Sequence, residues 1–505
     1  MKFSELTRLE HVGVRRTYGP SDADISDVHY DSRQVSSGSL FVAIKGFAVD
    51  GHAFVADAIR RGATAIILED DSTLDSLAVS NPTILFASVD DSRRALAYIA
   101  EAYFGYPSRA MRLIGVTGTN GKTTVTHLLK QLLAQRGECV GLIGTIGIWM
   151  GDETIEATHT TPESRDLSAY FRAMVDAGVT TCVMEVSSHA LALGRVAALD
   201  YDIAVFTNLT QDHLDFHKTM EAYFVAKQLL FSNLKDTAVA ITNIDSPYGL
   251  AIAEDSVSNV HSYGVRGSDQ APHADIVAEQ ITYSTEGTQF ALVKRYSDES
   301  AQVDTRLIGS FNVENILAAA SALYFGVEGC SLAWLATALK TVQPVPGRLQ
   351  SILLPTGVTA VVDYAHTPDA LEHVLETLGK LRAPQSKLIV VFGCGGNRDA
   401  GKRPMMGEIA ARLADRVVVT NDNPRNEVPQ TIAEQILAGI SENDRQKYSV
   451  ELDRTRAIES ALTMANAGDT VLIAGKGHEN YQIIGEERLH FDDAEVVHRW
   501  ARTQG

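Results

Sequence analysis

An α/β architecture in three successive domains is predicted for these 505 residues by three observations. Apolar runs of strand length alternate with stretches of helical periodicity along the chain. Many of the later runs end in polar, chemically capable residues, as strands of a doubly wound parallel sheet do when ligands lie beyond their carboxyl ends. One such junction, Arg112–Arg136 (RLIGVTGTNGKTTVTHLLKQLLAQR), places a glycine-rich turn between a strand and a helix. The expected division is a small N-terminal α/β domain over 1–108, a central P-loop parallel-sheet domain over 109–343 and a C-terminal Rossmann-like α/β domain over 344–505.

Within 1–108, Ser39–Ile44 (SLFVAI), Thr64–Leu68 (TAIIL) and Thr83–Ala87 (TILFA) read as strands, with a helix over His52–Arg61. Asp31-Ser32-Arg33 precedes them and, taken alone, reads as a solvated turn. The central domain opens with Leu113, Ile114 and Val116 as a buried strand. The chain then turns through Gly115, Gly118, Thr119, Asn120 and Gly121 into Lys122-Thr123-Thr124. Val125, Leu128, Leu129, Leu132 and Leu133 recur at helical spacing and Gly137 supplies a stop. Strand, glycine turn and helix together make a phosphate cradle. Glycines let backbone N–H groups crowd an anion, the helix N-terminus adds partial positive charge, and Lys122 adds a full one. Thr123 is placed to offer its hydroxyl to a magnesium ion. Val116 stands where the usual P-loop pattern has its first glycine, yet nucleoside triphosphate binding is the expectation.

Further strands end in the same manner. Thr181–Val186 leads to Ser187-Ser188-His189, Ile203–Phe206 to Thr207-Asn208, and Ala238–Ile241 to Thr242-Asn243. Pro344, Pro346 and Gly347 mark a linker, after which strands are expected at Val358–Val362, Lys387–Phe392, Arg416–Thr420 and Thr470–Ala474. Their ends carry Asp363-Tyr364-Ala365-His366, GCGGNR to Arg398, Asn421-Asp422-Asn423-Pro424-Arg425, and Gly475-Lys476-Gly477-His478-Glu479.

Composition narrows the class of function. Lys and Arg number 44 against 63 Asp and Glu, a net charge of -19 that argues against a nucleic-acid surface. The four cysteines, Cys139, Cys182, Cys330 and Cys394, form no CxxC pair and suit reduced thiols. The first residues lack the apolar core of a signal peptide and no apolar run reaches membrane-spanning length, so a cytoplasmic protein without membrane contact is expected.

Glu185 ends one strand, and Asp212 and His213 follow the next; with Thr123 they would surround a metal bridging a triphosphate. Taken singly, His213 reads as a hydrogen-bonded loop histidine, and Lys227, in EAYFVAKQLLF, as a lysine whose stem covers apolar surface. Arg398, Arg403 and Arg425 concentrate guanidinium groups near strand ends, where their planar forks match carboxylates.

Nine motifs fall in one order along the chain: GVTGTNGKTT, EVSSHAL with a following GR, FTNLTQDHLDFH, GSFNVENILAA, PVPGRLQ, DYAHTPDAL, FGCGGNRDAGKR, DNPR and AGKGHENYQ. Through them the sequence resembles the ATP-dependent Mur ligases of peptidoglycan synthesis, over about Asp31 to Gln482. Within that family it is most similar to the ligases that add meso-diaminopimelate to UDP-N-acetylmuramoyl-L-alanyl-D-glutamate. The resemblance implies one domain for the UDP-sugar, one for ATP and one that closes over the amino acid. It also implies an acyl-phosphate and tetrahedral-intermediate reaction releasing ADP and phosphate, in a cytoplasmic monomer. Carried over by position, Lys122 and Thr123 hold phosphate and Mg²⁺, and Glu185 and His213 resemble metal ligands. Lys227 matches the lysine the family carbamylates with CO₂, a change that creates a further anionic ligand. Asn312, Arg348, Asp363 and His366 resemble ATP contacts. Ser32 resembles a uridine-side contact, and Thr160, Thr161, Ser187 and Arg195 contacts to the muramoyl peptide; the family often has a glutamine where this chain has Leu193. Arg398, Asp422, Asn423, Arg425, Gly475 and Glu479 match the diaminopimelate pocket, with Arg425 gripping the far carboxylate.

A lysine-adding Mur ligase usually lacks the arginine of DNPR. Folylpolyglutamate synthetase shares the phosphate loop but not the DSR, EVSSHAL and DNPR segments. A regulatory P-loop NTPase would need an NKxD-type guanine segment, and the chain contains no Asn-Lys dipeptide.

Overall fold

Parallel strands with helices between them dominate the structure, a computed structural model that describes all residues except 21, 47, 48, 152, 266–273, 285, 286, 504 and 505. The chain divides into two compact units: Met1–Val277 with Lys294–Glu299 and Glu314–Leu332, and Ala278–Val293 with Ser300–Val313 and Ala333–Gly505.

The first unit opens with strands β1 (Val14–Tyr18), β2 (Asp27–His29), β3 (Ser39–Val42), β4 (Ala65–Leu68) and β5 (Leu85–Val89), in the order β1-β5-β4-β3-β2. All pairs are parallel except β1 with β5. The expected helix over His52–Arg61 forms as a 3₁₀ turn, Gly51–Phe54, running into an α-helix, Val55–Arg60. Asp50 caps the 3₁₀ turn through the His52 N–H, which draws the start tighter than an α-helix.

Beyond it come β6 (Arg112–Thr117), β7 (Val140–Ile143), β8 (Ile148–Met150), β9 (Glu153–Ile155), β10 (Thr181–Glu185), β11 (Ile203–Phe206), β12 (Val239–Asn243) and β13 (Asn259–Val265). Their order is β13-β12-β11-β6-β10-β7-β8-β9. Pairing is parallel from β13 to β7, and β8 and β9 add an antiparallel edge that the apolar runs did not announce. Strand β6 therefore lies between β10 and β11. The chain leaves β6 toward β7 on one side and crosses back from β10 to β11 on the other. That reversal opens a crevice at the carboxyl ends. The helix Lys122–Gln135 covers the sheet with Val125, Leu128, Leu129, Leu132 and Leu133, all fully buried. Each such side chain contributes about 1.5–3 kcal/mol by leaving water.

Most of β14 (Ile276–Tyr283) and of β15 (Thr288–Lys294) and all of β16 (Ser300–Thr305) belong to the second unit, and the three are neighbours in that order. A separate sheet holds β17 (Gln350–Leu353), β18 (Thr359–Asp363), β19 (Leu388–Phe392), β20 (Arg416–Val419), β21 (Tyr448–Val450) and β22 (Thr470–Ala474), ordered β17-β18-β22-β19-β20-β21. Only β17 runs antiparallel. The last long strand, β22, inserts between β18 and β19, so the Gly475–Glu479 turn emerges in the middle of the sheet. A hairpin of β23 (Tyr481–Ile484) and β24 (Glu487–His490) follows. Beneath, fully buried Arg454 pairs with Asp493 at 2.7 Å and donates to the carbonyls of Asn421 and Ala474, the residues just before two of the polar turns.

One half-buried acid in the first unit has a measurable consequence. Asn243, ending β12, donates to the Thr207 carbonyl at 2.8 Å and to Glu314 Oε2 at 3.5 Å. Burial, reinforced by Asp245, raises the Glu314 carboxyl from 4.5 to about 7, the Asn243 bond only partly opposing it. A folded-state value above the unfolded one favours folding of the protonated form. Its contribution is complete below about pH 4.5 and is lost as the pH rises through about 7, a loss on the order of 3 kcal/mol. Glu314→Gln should therefore flatten the fall in melting temperature between pH 5 and pH 8. Parallel pH curves for the two proteins would remove Glu314 as its source.

Candidate active site

The phosphate loop follows β6 and is fastened on both flanks. Gly118 and Gly121 adopt φ values of +150° and +88°, and a Cβ would run into the Thr207 hydroxyl at the first and the Asn315 amide at the second. Thr119 N donates to Asn208 O and Asn120 N to Asn208 Oδ1, both at 2.9 Å, while Thr207 Oγ1 donates to Asn120 O at 2.6 Å. The parallel register that aligns Phe206 with Thr117 makes these bonds possible. Gly121 then caps the helix, and Thr123 and Thr124 are buried in its first turn. The Lys122 ammonium lies against its own loop, donating to the carbonyls of Gly118 and Thr119 at 2.8 Å each.

On one side of the loop, Glu185 ends β10 with only 1% of its surface exposed. Its carboxylate accepts from Thr123 Oγ1 at 3.0 Å, Thr145 N at 2.9 Å and Thr145 Oγ1 at 3.2 Å. Thr145 in turn meets Thr160 Oγ1 at 3.0 Å. Thr161 Oγ1 donates to the Glu185 carbonyl at 2.8 Å and accepts from Ser187 N at 3.0 Å. Arg195 Nη1 donates to Thr161 O at 2.9 Å, and its Nε lies 3.3 Å from Glu163, which also pairs with Arg93 at 2.9 Å. Six residues singled out in the sequence, Thr123, Thr160, Thr161, Glu185, Ser187 and Arg195, thus belong to one bonded chain. Thr145, Glu163 and Arg93 complete it, and no sequence motif pointed to them. Leu193 caps the short helix Ser188–Ala192 and adds no polar group there.

On the other side lie Lys227 and His213. Lys227 is 1% exposed, its Nζ donates 2.8 Å to Gly118 O, the same carbonyl that Lys122 uses, and it stands 4.7 Å from the Tyr223 ring centre. Burial, with Lys122 as second cause, holds its amine well below the usual lysine range; Asp212 opposes this weakly. Tyr223 OH meets Thr119 Oγ1 at 3.1 Å. His213 takes a left-handed conformation, φ +53°, and packs edge-on to His189 at 4.8 Å. Burial lowers its imidazole below the ordinary value; Asp212 opposes, and Lys122 and Lys227 add to the lowering. Ser32, in a different part of the unit, is buried with its hydroxyl 2.9 Å from Asp57 Oδ2.

In the second unit, Asn312 donates to Ile308 O at 2.8 Å and is buried. Asp363 accepts from the N–H groups of Leu349 and Ala365 at 2.8 Å each, fastening the linker to β18. Burial raises its carboxyl, with Arg348 and these two bonds opposing. Arg348 lies 5.0 Å over the Tyr364 ring, and His366 Nδ1 is 2.9 Å from Tyr364 O.

The Asp422–Arg425 turn after β20 meets the Gly475–Glu479 turn after β22. Asn423 Nδ2 donates to Glu479 Oε2 at 2.9 Å, and Gly475 N to Asp363 O at 3.1 Å. The hairpin fastens the turn from outside: Gln482 Nε2 donates to Asp422 O at 2.7 Å, Ile483 N to Asn423 Oδ1 at 2.9 Å, and Arg425 N to Ile483 O at 3.1 Å. Arg425, at φ +50°, donates from Nη1 to Gly396 O at 2.9 Å. Arg398 is exposed on the neighbouring loop. Arg403, grouped with these two on sequence, is fully buried instead, donating to Glu427, Gln435 and the Gly395 carbonyl. It builds the loop rather than facing a ligand.

Three family descriptions match successive parts of the chain: "Mur ligase family, catalytic domain" at 24–110, "Mur ligase middle domain" at 116–323 and "Mur ligase, glutamate ligase domain" at 347–477. A UDP-N-acetylmuramoyl-L-alanyl-D-glutamate--2,6-diaminopimelate ligase from Geobacillus kaustophilus is 46% identical over 506 residues, covering 99% of both chains. The chain belongs to the Mur ligase family. A solved structure of a ligase with the same description superposes with a TM-score of 0.69 at 35% identity, covering 95% of each chain. A Thermotoga maritima relative solved with ADP, at 23% identity and a TM-score of 0.60, shares the fold. In this Mur ligase the α/β architecture of several sheets follows the family. Among the described residues no helix is long and apolar enough to cross a membrane.

Proposed function

We propose that this Mur ligase joins meso-diaminopimelate to UDP-N-acetylmuramoyl-L-alanyl-D-glutamate, cleaving ATP to ADP and phosphate. Residues 1–108 would take the UDP-sugar, 109–343 the ATP and 344–505 the amino acid. The observation that carries the choice of amino acid is the Asp422–Arg425 turn. It brings a guanidinium, fixed at Gly396 O, onto the same turn as Asp422 and Asn423, with Glu479 bonded alongside. Acidic groups suit an ammonium and a guanidinium fork suits a carboxylate, and diaminopimelate carries both at its far end. Lysine has no second carboxylate, and a site built around a polar partner rejects a ligand that lacks it.

The first step is attack of the D-glutamate carboxylate on the γ-phosphoryl group, giving an acyl phosphate and ADP. Amine attack on the acyl carbon gives a tetrahedral intermediate, from which phosphate leaves as the nitrogen gives up a proton and the amide forms. Lys122 must turn from the carbonyls of Gly118 and Thr119 to the phosphates, whose oxygens are stronger acceptors. The helix N-terminus and loop N–H groups hold the remaining charge.

The Thr123 hydroxyl and Glu185 carboxylate, 3.0 Å apart, are the hard oxygen donors Mg²⁺ selects. When bound, the ion neutralises charge on the transferring phosphoryl group. His213 would face the same charges from beside Lys122 and Lys227. The buried Lys227 amine suits carbamylation, since its lowered proton affinity supplies the neutral form that adds to CO₂ with loss of one proton. The anion so formed would face Lys122 and offer a further magnesium ligand.

A panel of amino acids tests the assignment. With UDP-N-acetylmuramoyl-L-alanyl-D-glutamate, ATP and Mg²⁺, phosphate release should be faster with meso-diaminopimelate than with L-lysine by about 10²-fold or more in kcat/KM. Equal or greater turnover with L-lysine would reject the specificity and leave the ligase chemistry standing.

A further inference from the structure

Lys476 is not among the residues assigned to ATP, metal or amino acid, yet its ammonium occupies the centre of those assigned to the amino acid. Its side chain is 0% exposed, and Nζ lies 3.2 Å from Asn423 Oδ1, 3.3 Å from Glu479 Oε2 and 3.5 Å from Asp422 Oδ1. The Tyr481 ring closes it off, 5.5 Å away.

We infer that Lys476 is a positioning residue for amino-acid binding: its buried ammonium orients Asp422, Asn423 and Glu479 and leaves the cluster one net negative charge. The inference rests on the assignment of those three residues to the diaminopimelate pocket. Its physical basis is the penalty on burying a cation, which is offset only by close, well-placed partners. A methionine would fill the same space without that penalty, so packing alone does not explain an ammonium here. What the charge does is specific. Asp422 follows β20 and Glu479 follows β22, and without a cation between them the two carboxylates repel and the turns part. With it, Asn423 has a single arrangement, its amide N–H reaching Glu479 while its oxygen accepts from Lys476 and Ile483. Arg454 lies deeper and is already paired with Asp493, so it does not replace Lys476 at the turns. One net negative charge matches one ammonium of the incoming amino acid; two would bind any cation more tightly and discriminate less.

Steady-state phosphate release by the full chain decides this, with ATP, the UDP-linked substrate and meso-diaminopimelate varied in turn. Lys476→Met should raise the KM for diaminopimelate about 30-fold, and Lys476→Gln, which keeps a donor, about 10-fold, as removal of one partner from a buried charge cluster does. The KM for ATP and for the UDP-linked substrate should stay within about twofold, since neither meets this cluster in the present reading. If Lys476→Met does not fold, Lys476→Gln decides by the same criterion. Parallel rises in all three KM values, or an unchanged diaminopimelate KM, would make Lys476 a tie between loops and overturn the inference. Arg425→Lys serves as the reference. If it raises the diaminopimelate KM and the Lys476 variants do not, only the role of Lys476 falls. If neither does, the pocket assignment itself falls.

Discussion

Lys122→Met should lower kcat for phosphate release by about 10³-fold or more, with the KM for the amino acid within about twofold of its original value. The lysine is the full positive charge of the loop, delivered at the first residue of the helix Lys122–Gln135. Its charge matters most where negative charge accumulates during phosphoryl transfer, so the loss falls on the transition state more than on nucleotide binding. The loop itself should survive the change. Its fastening comes from Asn208, Thr207 and Tyr223, which hold Thr119 and Asn120 independently of Lys122. Rapid-quench or coupled phosphate assays, with melting curves as a folding control, measure this directly. A loss under tenfold in a folded protein would show that Lys122 does not face the transferring phosphoryl group.

Arg425→Lys should raise the KM for meso-diaminopimelate by about 10²-fold, equivalent to roughly 2.7 kcal/mol, against less than about threefold for ATP. Both residues carry the charge, so the effect isolates geometry. A guanidinium can bond Gly396 O through Nη1 and still present other N–H groups in its plane, whereas an ammonium has no such fork. The turn is set by the backbone bonds of Arg425 to Ile483 and of Gly485 to Arg425, so the substitution leaves its framework in place. The same variant should narrow the preference for diaminopimelate over L-lysine. Comparable rises for the amino acid and ATP would remove Arg425 from the pocket.

Each feature of the site needs a different kind of information. The phosphate loop was legible because strand, glycine turn and helix are contiguous. Apolar runs marked β10, β11, β19 and β22 to within a residue or two, since their burial on both faces writes continuous hydrophobic sequence. The antiparallel edge strands β8 and β9 escape notice because three residues apiece carry too little pattern. The arginines show the limit most clearly. Arg403 and Arg425 look alike in the sequence, but one is enclosed by Glu427 and Gln435 and the other is half-buried at a turn.

By itself, then, the sequence determined the local features: a glycine turn leading into a helix at Gly118–Lys122, polar groups at successive strand ends, and the motif set of the Mur ligases. Which of those ends meet was decided only in three dimensions. The place of β6 between β10 and β11 brings Thr123 to Glu185 across 62 residues, and the insertion of β22 beside β19 brings Lys476 to Asp422 across 54. Strand order depends on pairings between distant segments, which no window of sequence encodes. The burial that lowers the proton affinity of Lys227 and encloses Lys476 follows from that order.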